Sequence, residues 1–264
     1  MLFKDQAWTD LKKSCIDETV VIVPLGSTEQ HGPHLPVWTD SCIAEKIAYA
    51  VGQKAGALVA PTINYGYSDV WHDYPGTISL SSTTLRAVMH DVCASLIRTG
   101  FKKIVILNGH NPNQIIIQPL AYDLVNEFSS EEITIAAATY IFMAKEECEN
   151  IGEYFRDGSH ANEAETSLML YLFPDLVKMD RVSDMVETFA QRRLIVYEGS
   201  AVIVNKWPSS AMYSGVYGSP SLATMEKGKA YFDILVEKIS QFIVDFREGK
   251  LDAATQTGLP IIRN

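Results

Sequence analysis

Apolar and polar positions alternate along the chain in two rhythms. Short β-branched runs come at Val20-Val21-Ile22-Val23, at Ala57-Leu58-Val59-Ala60 and at Lys103-Ile104-Val105-Ile106-Leu107, and they predict strands over 20–24, 57–60 and 103–107. A fourth strand is expected over 133–141. Between them the apolar residues recur at helical spacing. Ile43, Ile47, Ala50 and Val51 share one face of a helix over 41–53. Leu85, Val88, Met89, Val92 and Leu96 do the same over 83–98, with Gly100 placed to follow the helix end. Further helices are expected over 114–128, 161–172 and 224–246, the last with Phe232, Leu235, Ile239, Phe242 and Phe246 as its stripe. Leu194–Tyr197 and Ala201–Val204 read as a short hairpin in a stretch rich in Gly, Ser, Pro and Tyr. Strands alternating with helices define an α/β fold, a mostly parallel sheet between helical layers.

In such sheets the reacting groups collect where strands end. Pro24-Leu25-Gly26-Ser27-Thr28-Glu29-Gln30-His31-Gly32-Pro33-His34, followed by Thr39-Asp40, leaves the first strand and carries two carboxylates and two imidazoles. Glu29 and His31 are two apart, so in extended backbone both side chains leave on one face. This mixture of oxygen and imidazole donors suits divalent metal ions. The plainer alternative is a polar loop with Asp40 as a helix cap. Asn108-Gly109-His110 ends the third strand, where Gly109 is expected to permit a sharp turn.

Five of the six histidines lie in Gly- or Pro-rich segments, and only His90 sits within a helical pattern. His160 opens a third cluster near a helix start, and Glu165 is expected in the second turn of that helix, just before Leu168-Met169-Leu170. A carboxylate so placed must be paired, protonated or metal-bound. Glu163 reads equally as a solvated helix residue.

Composition narrows the possibilities. The 264 residues fit one large domain spanning 1–264, and a hydrophobic content of 47% with 20% charged residues is ordinary for a globular protein. A net charge of −10 argues against nucleic acid or an anionic membrane as partner. The four scattered cysteines form no CxxC pair, and no signal peptide or membrane span is evident, so a cytoplasmic location is expected.

Glu29-Gln30-His31-Gly32 with Asp40, Pro75-Gly76-Thr77, Asn108-Gly109-His110 and Glu165-Thr166-Ser167 together resemble the creatininase (creatinine amidohydrolase) family, with Pro174–Val177 and Asp180–Val182 extending the similarity. The resemblance spans roughly residues 5–250. It implies a three-layer α/β/α fold and two divalent ions per subunit, zinc or manganese with iron also compatible, in a homo-oligomer, often a hexamer. It implies Glu29, Asp40 and His110 on one metal and His31, Asp40 and Glu165 on the other, Asp40 bridging. In the mechanism this resemblance implies, ions about 3.5–4 Å apart would share a hydroxide that attacks an amide carbonyl. His160 matches the proton-transfer position, and Asp157 that of a nearby carboxylate.

The departures bear on substrate. The aromatic and the metal-binding glutamate that follow Asn-Gly-His in creatininase are replaced by Asn111 and Pro112, and the tryptophan covering creatinine by Arg156. A polar slot replaces a flat apolar one, which disfavours creatinine and suits an anionic or hydroxyl-rich molecule. Ser68, Trp71 and His72 precede the Pro-Gly-Thr turn, where they are expected to line the pocket, while His34 is expected to orient ligands. The reading is a metal-dependent hydrolase of a cyclic amide or formamide in a small polar molecule. Hydrolysis of a carbon–carbon bond in a keto-cyclitol or diketone on the same site is one alternative, and a non-catalytic metal or small-molecule binding protein is another.

Overall fold

A computed structural model describes residues 1–15, 18–152, 159–185, 192–197, 200–205 and 214–251. A short helix, α1 (Trp8–Ser14), precedes β1 (Val20–Leu25), whose six residues are all buried. The helix α2 (Thr39–Ala55) follows, and Gly56 ends it in the left-handed conformation at φ 66°. Next come β2 (Leu58–Val59), α3 (Ser82–Arg98), β3 (Lys103–Asn108) and α4 (Gln114–Glu127). The Ser81 hydroxyl accepts from the Thr84 amide to start α3, and Gly100 at φ 104° lies just beyond its end, as expected. Then follow β4 (Thr134–Thr139), α5 (Lys145–Glu149), α6 (Glu163–Leu172), β5 (Arg192–Tyr197), β6 (Ser200–Asn205) and α7 (Met225–Arg247).

Four strands form one parallel sheet in the order β2-β1-β3-β4. β5 and β6 pair antiparallel as the expected hairpin. Side chains of the central strands go alternately to two cores. Val20, Ile22, Val105 and Leu107 pack with residues of α2, α6 and α7, including Ile43, Ile47, Leu168, Leu235 and Ile239. Val21, Val23, Leu25, Ile104 and Ile106 face α3 and α4 through Leu85, Met89, Ile117 and Leu120. The sheet is thus sandwiched between two helical layers, and its continuous apolar runs follow from burial on both faces. Each fully buried aliphatic side chain contributes roughly 1.5–3 kcal/mol against its exposed state.

The register sets up the site. Leu25 lies opposite Asn108, and Asn108 opposite Thr139, so three strands end level. The segments leaving β1 and β3 therefore emerge side by side.

Some elements differ from the sequence reading. The fourth strand stops at Thr139 because Tyr140–Phe142 tightens into a 3-10 turn. The helix expected from 161 starts at Glu163, since Ala161 sits at φ 50°, a left-handed value that cannot begin a helix, and Asn162 is the cap. In α7 the buried stripe runs through Tyr231, Leu235, Ile239, Ile243 and Phe246, leaving Phe232 and Phe242 half-buried at its edge. Among the described residues, no helix is long and apolar enough to cross a membrane.

Candidate metal centre

Two glycines at strand ends decide where the polar residues meet. A Cβ on Gly26 would lie 2.3 Å from Ser41 Cα, and one on Gly109 would lie 2.5 Å from the Asp40 carbonyl oxygen and 2.8 Å from Ala44 Cβ. β1 and β3 can press their ends against the first turn of α2 only because both side chains are missing. The chain bends at Gly109 and His110 as expected, but without entering the left-handed region, so it is the close approach that requires a glycine there.

The contact delivers the Asp40 carboxylate between two histidines. Asp40 Oδ1 is 3.0 Å from His31 Nε2, and Oδ2 is 2.7 Å from His110 Nδ1. The Ser27 hydroxyl donates to Oδ2 at 2.8 Å. Trp38, with no side-chain capping bond, occupies the N-cap of α2, so the alternative of Asp40 as a helix cap is not what forms.

Each nearby histidine is pinned by one ring nitrogen to a main-chain carbonyl, which can only accept. His31 Nδ1 donates to Glu29 O at 3.2 Å, His110 Nε2 to Tyr67 O at 3.0 Å, and His160 Nε2 to Gln30 O at 2.7 Å. The other nitrogen of each ring then faces carboxylates. His110 Nδ1 also lies 3.4 Å from Glu29 Oε1, and His160 Nδ1 lies 3.6 Å from the same oxygen. Such outward anchoring fixes the tautomer that leaves the inner nitrogen available to a metal or a proton.

Two groups, Glu29–Asp40–His110 and His31–Asp40–Glu165, each bring their donor atoms within 4.8 Å of one another, and Asp40 belongs to both. Glu29, His31 and His160 form a third such group. Glu165 sits at the third helical position of α6, in the first turn and not the second, where the Asn162 side chain accepts from its amide. Oε2 of Glu29 and Oε2 of Glu165 are buried with no hydrogen-bond partner. Orphaned carboxylate oxygens are costly to bury. Three carboxylates, two inward-facing imidazoles and two orphaned oxygens fit a pair of divalent ions, which satisfy all of these donors together.

Protonation reflects the crowding. Burial pushes the Glu29 carboxyl up to about 7 and also raises Glu165. Burial opposes charge on His31, but the adjacent Asp40 carboxylate outweighs it and raises the imidazole to about 10. His110 is raised to about 9, Glu29 and Asp40 overcoming its burial. Asp40, although buried, is held well below the usual carboxylate range by His31 and His110. Burial, reinforced by the charge on His31, keeps His160 well below its ordinary value. Asp40 and its two histidine partners thus favour their charged forms, while burial disfavours charge on Glu29, Glu165 and His160.

The structure brings Glu29, His31, Asp40, His110, His160 and Glu165 together from four segments. Ser68 joins them, its Oγ 3.4 Å from His110 Nε2. Trp71 is buried and stacks on His160, centroids 4.5 Å apart. Asn111 is exposed on the 3-10 turn after His110. His72 is exposed, bonded to the Asp69 carbonyl at 2.5 Å and paired with Asp73 at 3.1 Å. His34 is buried, and its Nε2 lies 2.9 Å from the Thr166 hydroxyl beside Glu165. Glu163 pairs with Lys227 of α7 at 2.5 Å, an anchor for the start of α6. Arg156 and Asp157 lie outside the described residues.

Other contributors carried no clear signal in the sequence. Asn108 Nδ2 donates to His110 O (2.6 Å) and to Thr139 Oγ1 (3.0 Å), while its Oδ1 accepts from the His110 amide (3.1 Å). Asn113 ties Gly26 O and Asn108 Oδ1 together and accepts from the Tyr67 amide. Both asparagines lie within the Asn108–Asn113 motif, and their burial was the missing information. Ser27, next to Gly26, could have been found from its position in the first motif.

A parallel sheet between helical layers, with carboxylates and histidines gathered at the carboxyl ends of its strands, defines an α/β protein with its polar site where such folds carry their chemistry. The creatininase family model (creatinine amidohydrolase) matches residues 4–243, and the chain belongs to this family of hydrolases. It is 29% identical over 241 residues to creatinine amidohydrolase of Pseudomonas putida, covering 86% of this chain and 89% of the relative. It is 30% identical over 262 residues to 3-dehydro-scyllo-inosose hydrolase of Thermotoga maritima, covering 89% and 81%. A crystal structure of creatinine amidohydrolase superposes with a TM-score of 0.80 at 26% identity, covering 92% of this chain and 96% of that one. Creatininase structures of the same fold include a mutant of Zn–Zn type and a manganese form.

Proposed function

We propose that the protein is a metal-dependent amidohydrolase that cleaves a C–N amide bond, in a cyclic amide or a formamide, of a small polar substrate. The observation that carries this reading is the pair of donor groups sharing Asp40, with orphaned oxygens on Glu29 and Glu165. Glu29, Asp40 and His110 would hold one divalent ion, zinc or manganese, and His31, Asp40 and Glu165 the other. Bound there, such ions supply Lewis acidity toward a carbonyl and acidify water. Asp40 holds the two halves in register, one oxygen toward each histidine. His160 handles the proton at Nδ1, because its Nε2 is committed to the Gln30 carbonyl. Asp157, three residues before it, is assigned by resemblance to orient that imidazole or bind substrate.

With Arg156 and Asn111 where creatininase has aromatics, and Pro112 where it has a glutamate, creatinine should be a poor substrate. A second reading, hydrolysis of a keto-cyclitol, draws support from the similarity to the Thermotoga maritima 3-dehydro-scyllo-inosose hydrolase. The test is metal analysis of protein purified without chelator, followed by turnover of lactams, formamides and keto-cyclitols by zinc- and manganese-loaded protein. Two equivalents of metal with amide turnover are expected. Asp40→Asn should lose at least one equivalent and most activity, whereas full metal content and unchanged turnover in that variant would overturn the assignment of Asp40.

A further inference from the structure

The imidazole assigned to proton transfer is gripped on three sides. Its Nε2 bonds the Gln30 carbonyl at 2.7 Å, and the His31 ring lies on one side with centroids 4.3 Å apart, tilted by 44°. The indole of Trp71 lies at 4.5 Å with an interplanar angle of 24°, a stacked pair. The backbone is fixed too, since His160 and Tyr217 exchange amide–carbonyl bonds of 3.0 and 2.7 Å. Trp71 is itself immobilised. It is only 4% exposed, it ends the 3-10 turn Asp69–Trp71, and its amide donates to Ser68 O at 2.9 Å. Tyr74 packs edge-on against the indole at 5.7 Å and 78°.

The hydrogen bond to Gln30 alone does not set the ring plane, because an imidazole can swing about a single N–H···O axis. A flat, buried neighbour stacked on it removes that freedom. The same turn reaches the other half of the cluster, since Ser68 Oγ lies 3.4 Å from His110 Nε2. One short segment thus touches both His110 and His160.

We propose that Trp71 is a positioning residue, whose stacked indole holds the His160 ring with Nδ1 turned toward Glu29 and the metal cluster. This goes beyond a pocket-lining role and rests on the reading of His160 as the proton-transfer group. A substrate wall would have to offer a free face, whereas Trp71 is nearly fully enclosed and spends one face on His160.

The experiment uses full-length, zinc-loaded protein labelled with 15N-histidine. Long-range 1H–15N correlation reports which ring nitrogen carries the proton, and His160→Gln identifies the resonances of His160. The wild type should show one tautomer with the proton on Nε2. Trp71→Phe, which preserves a stacking ring, should keep this spectrum. Trp71→Leu should leave the proton on Nε2, where the Gln30 carbonyl still holds it, but broaden the His160 ring signals by exchange between ring orientations, at unchanged zinc stoichiometry. On a substrate found in the turnover panel, Trp71→Leu should lower kcat by roughly tenfold to a hundredfold and leave KM within about twofold, with Trp71→Phe restoring most of the rate. Should Trp71→Leu fail to fold, Trp71→Met fills the space without a ring and should give the same loss. Unbroadened His160 ring signals in a folded ring-less variant overturn the proposal, as does a raised KM at wild-type kcat. If His160→Gln leaves turnover intact, the proton-transfer reading fails, while the spectra still decide whether Trp71 holds the ring.

Discussion

Asp40 and His160 make different demands on their surroundings, and substitution should separate them. His160 Nδ1 approaches Glu29 Oε1 at 3.6 Å but belongs to neither donor group that contains Asp40. His160→Ala should therefore retain both metal equivalents and a near-native melting temperature while lowering turnover by roughly 100- to 10,000-fold, the usual contribution of a general acid–base. Glu165→Ala should instead empty one site, because Oε2 of Glu165 is buried and lacks any other partner. Metal stoichiometry and kcat measured on the two variants check both statements, and loss of metal from His160→Ala would make it a ligand through the group it forms with Glu29 and His31. At this scale the sequence was informative about residue types and silent about anchors. Glu29, His31, Asp40, His110 and Glu165 stand in motifs whose chemistry is legible. The carbonyls of Glu29, Gln30 and Tyr67 that orient the histidines belong to the main chain, which looks the same at every position.

Among the elements, the meeting of β1, β3 and α2 controls the geometry of the centre. Gly109→Ala would push a methyl to 2.5 Å from the Asp40 carbonyl oxygen, against backbone that cannot step aside. The expected cost is about 1–3 kcal/mol of stability, together with weaker metal binding, since the displaced turn carries Asp40. Denaturant unfolding and a zinc titration of the same sample test this, and wild-type affinity in the variant would show that the contact is not what places the carboxylate. Strands β1 and β3 and helices α2, α3 and α7 were legible because burial on both sheet faces or along one helix face writes a strong pattern. Helix α1 was not, because it buries no residue and exposes Trp8 at 73%, leaving no stripe to detect. The start of α6 was missed because Ala161 adopts φ 50°, a conformation that alanine does not advertise.

Across the whole molecule, metal removal and pH should act on the same groups. In chelated protein His31 and His110 are raised to about 10 and about 9, above the unfolded value near 6.5. A raised folded pKa gives stability that is complete below the unfolded value and is lost as pH climbs through the folded one. Glu29, raised to about 7, acts in the same sense at lower pH. Asp40, depressed, contributes above the unfolded carboxylate value and does not change in this window. The metal-free melting temperature should therefore fall between pH 7 and 10. Divalent ions held by these rings would take the place of their protons, so the metal-loaded protein should vary less over the same range. Thermal melts at several pH values with and without zinc check this, and parallel curves would mean that the ions bind elsewhere.

The carbonyl anchoring of the three histidines has a consequence for sequence drift. A side-chain partner vanishes when one codon changes, but the acceptors at Tyr67 and Gln30 survive any substitution that keeps the backbone path. Tyr67 also packs its ring against the core beneath α3 and α4, so substitutions there that keep this packing should retain metal whatever becomes of the hydroxyl. A lineage can then alter its pocket extensively, as substrates change, while inheriting correctly oriented imidazoles from the path of the chain alone.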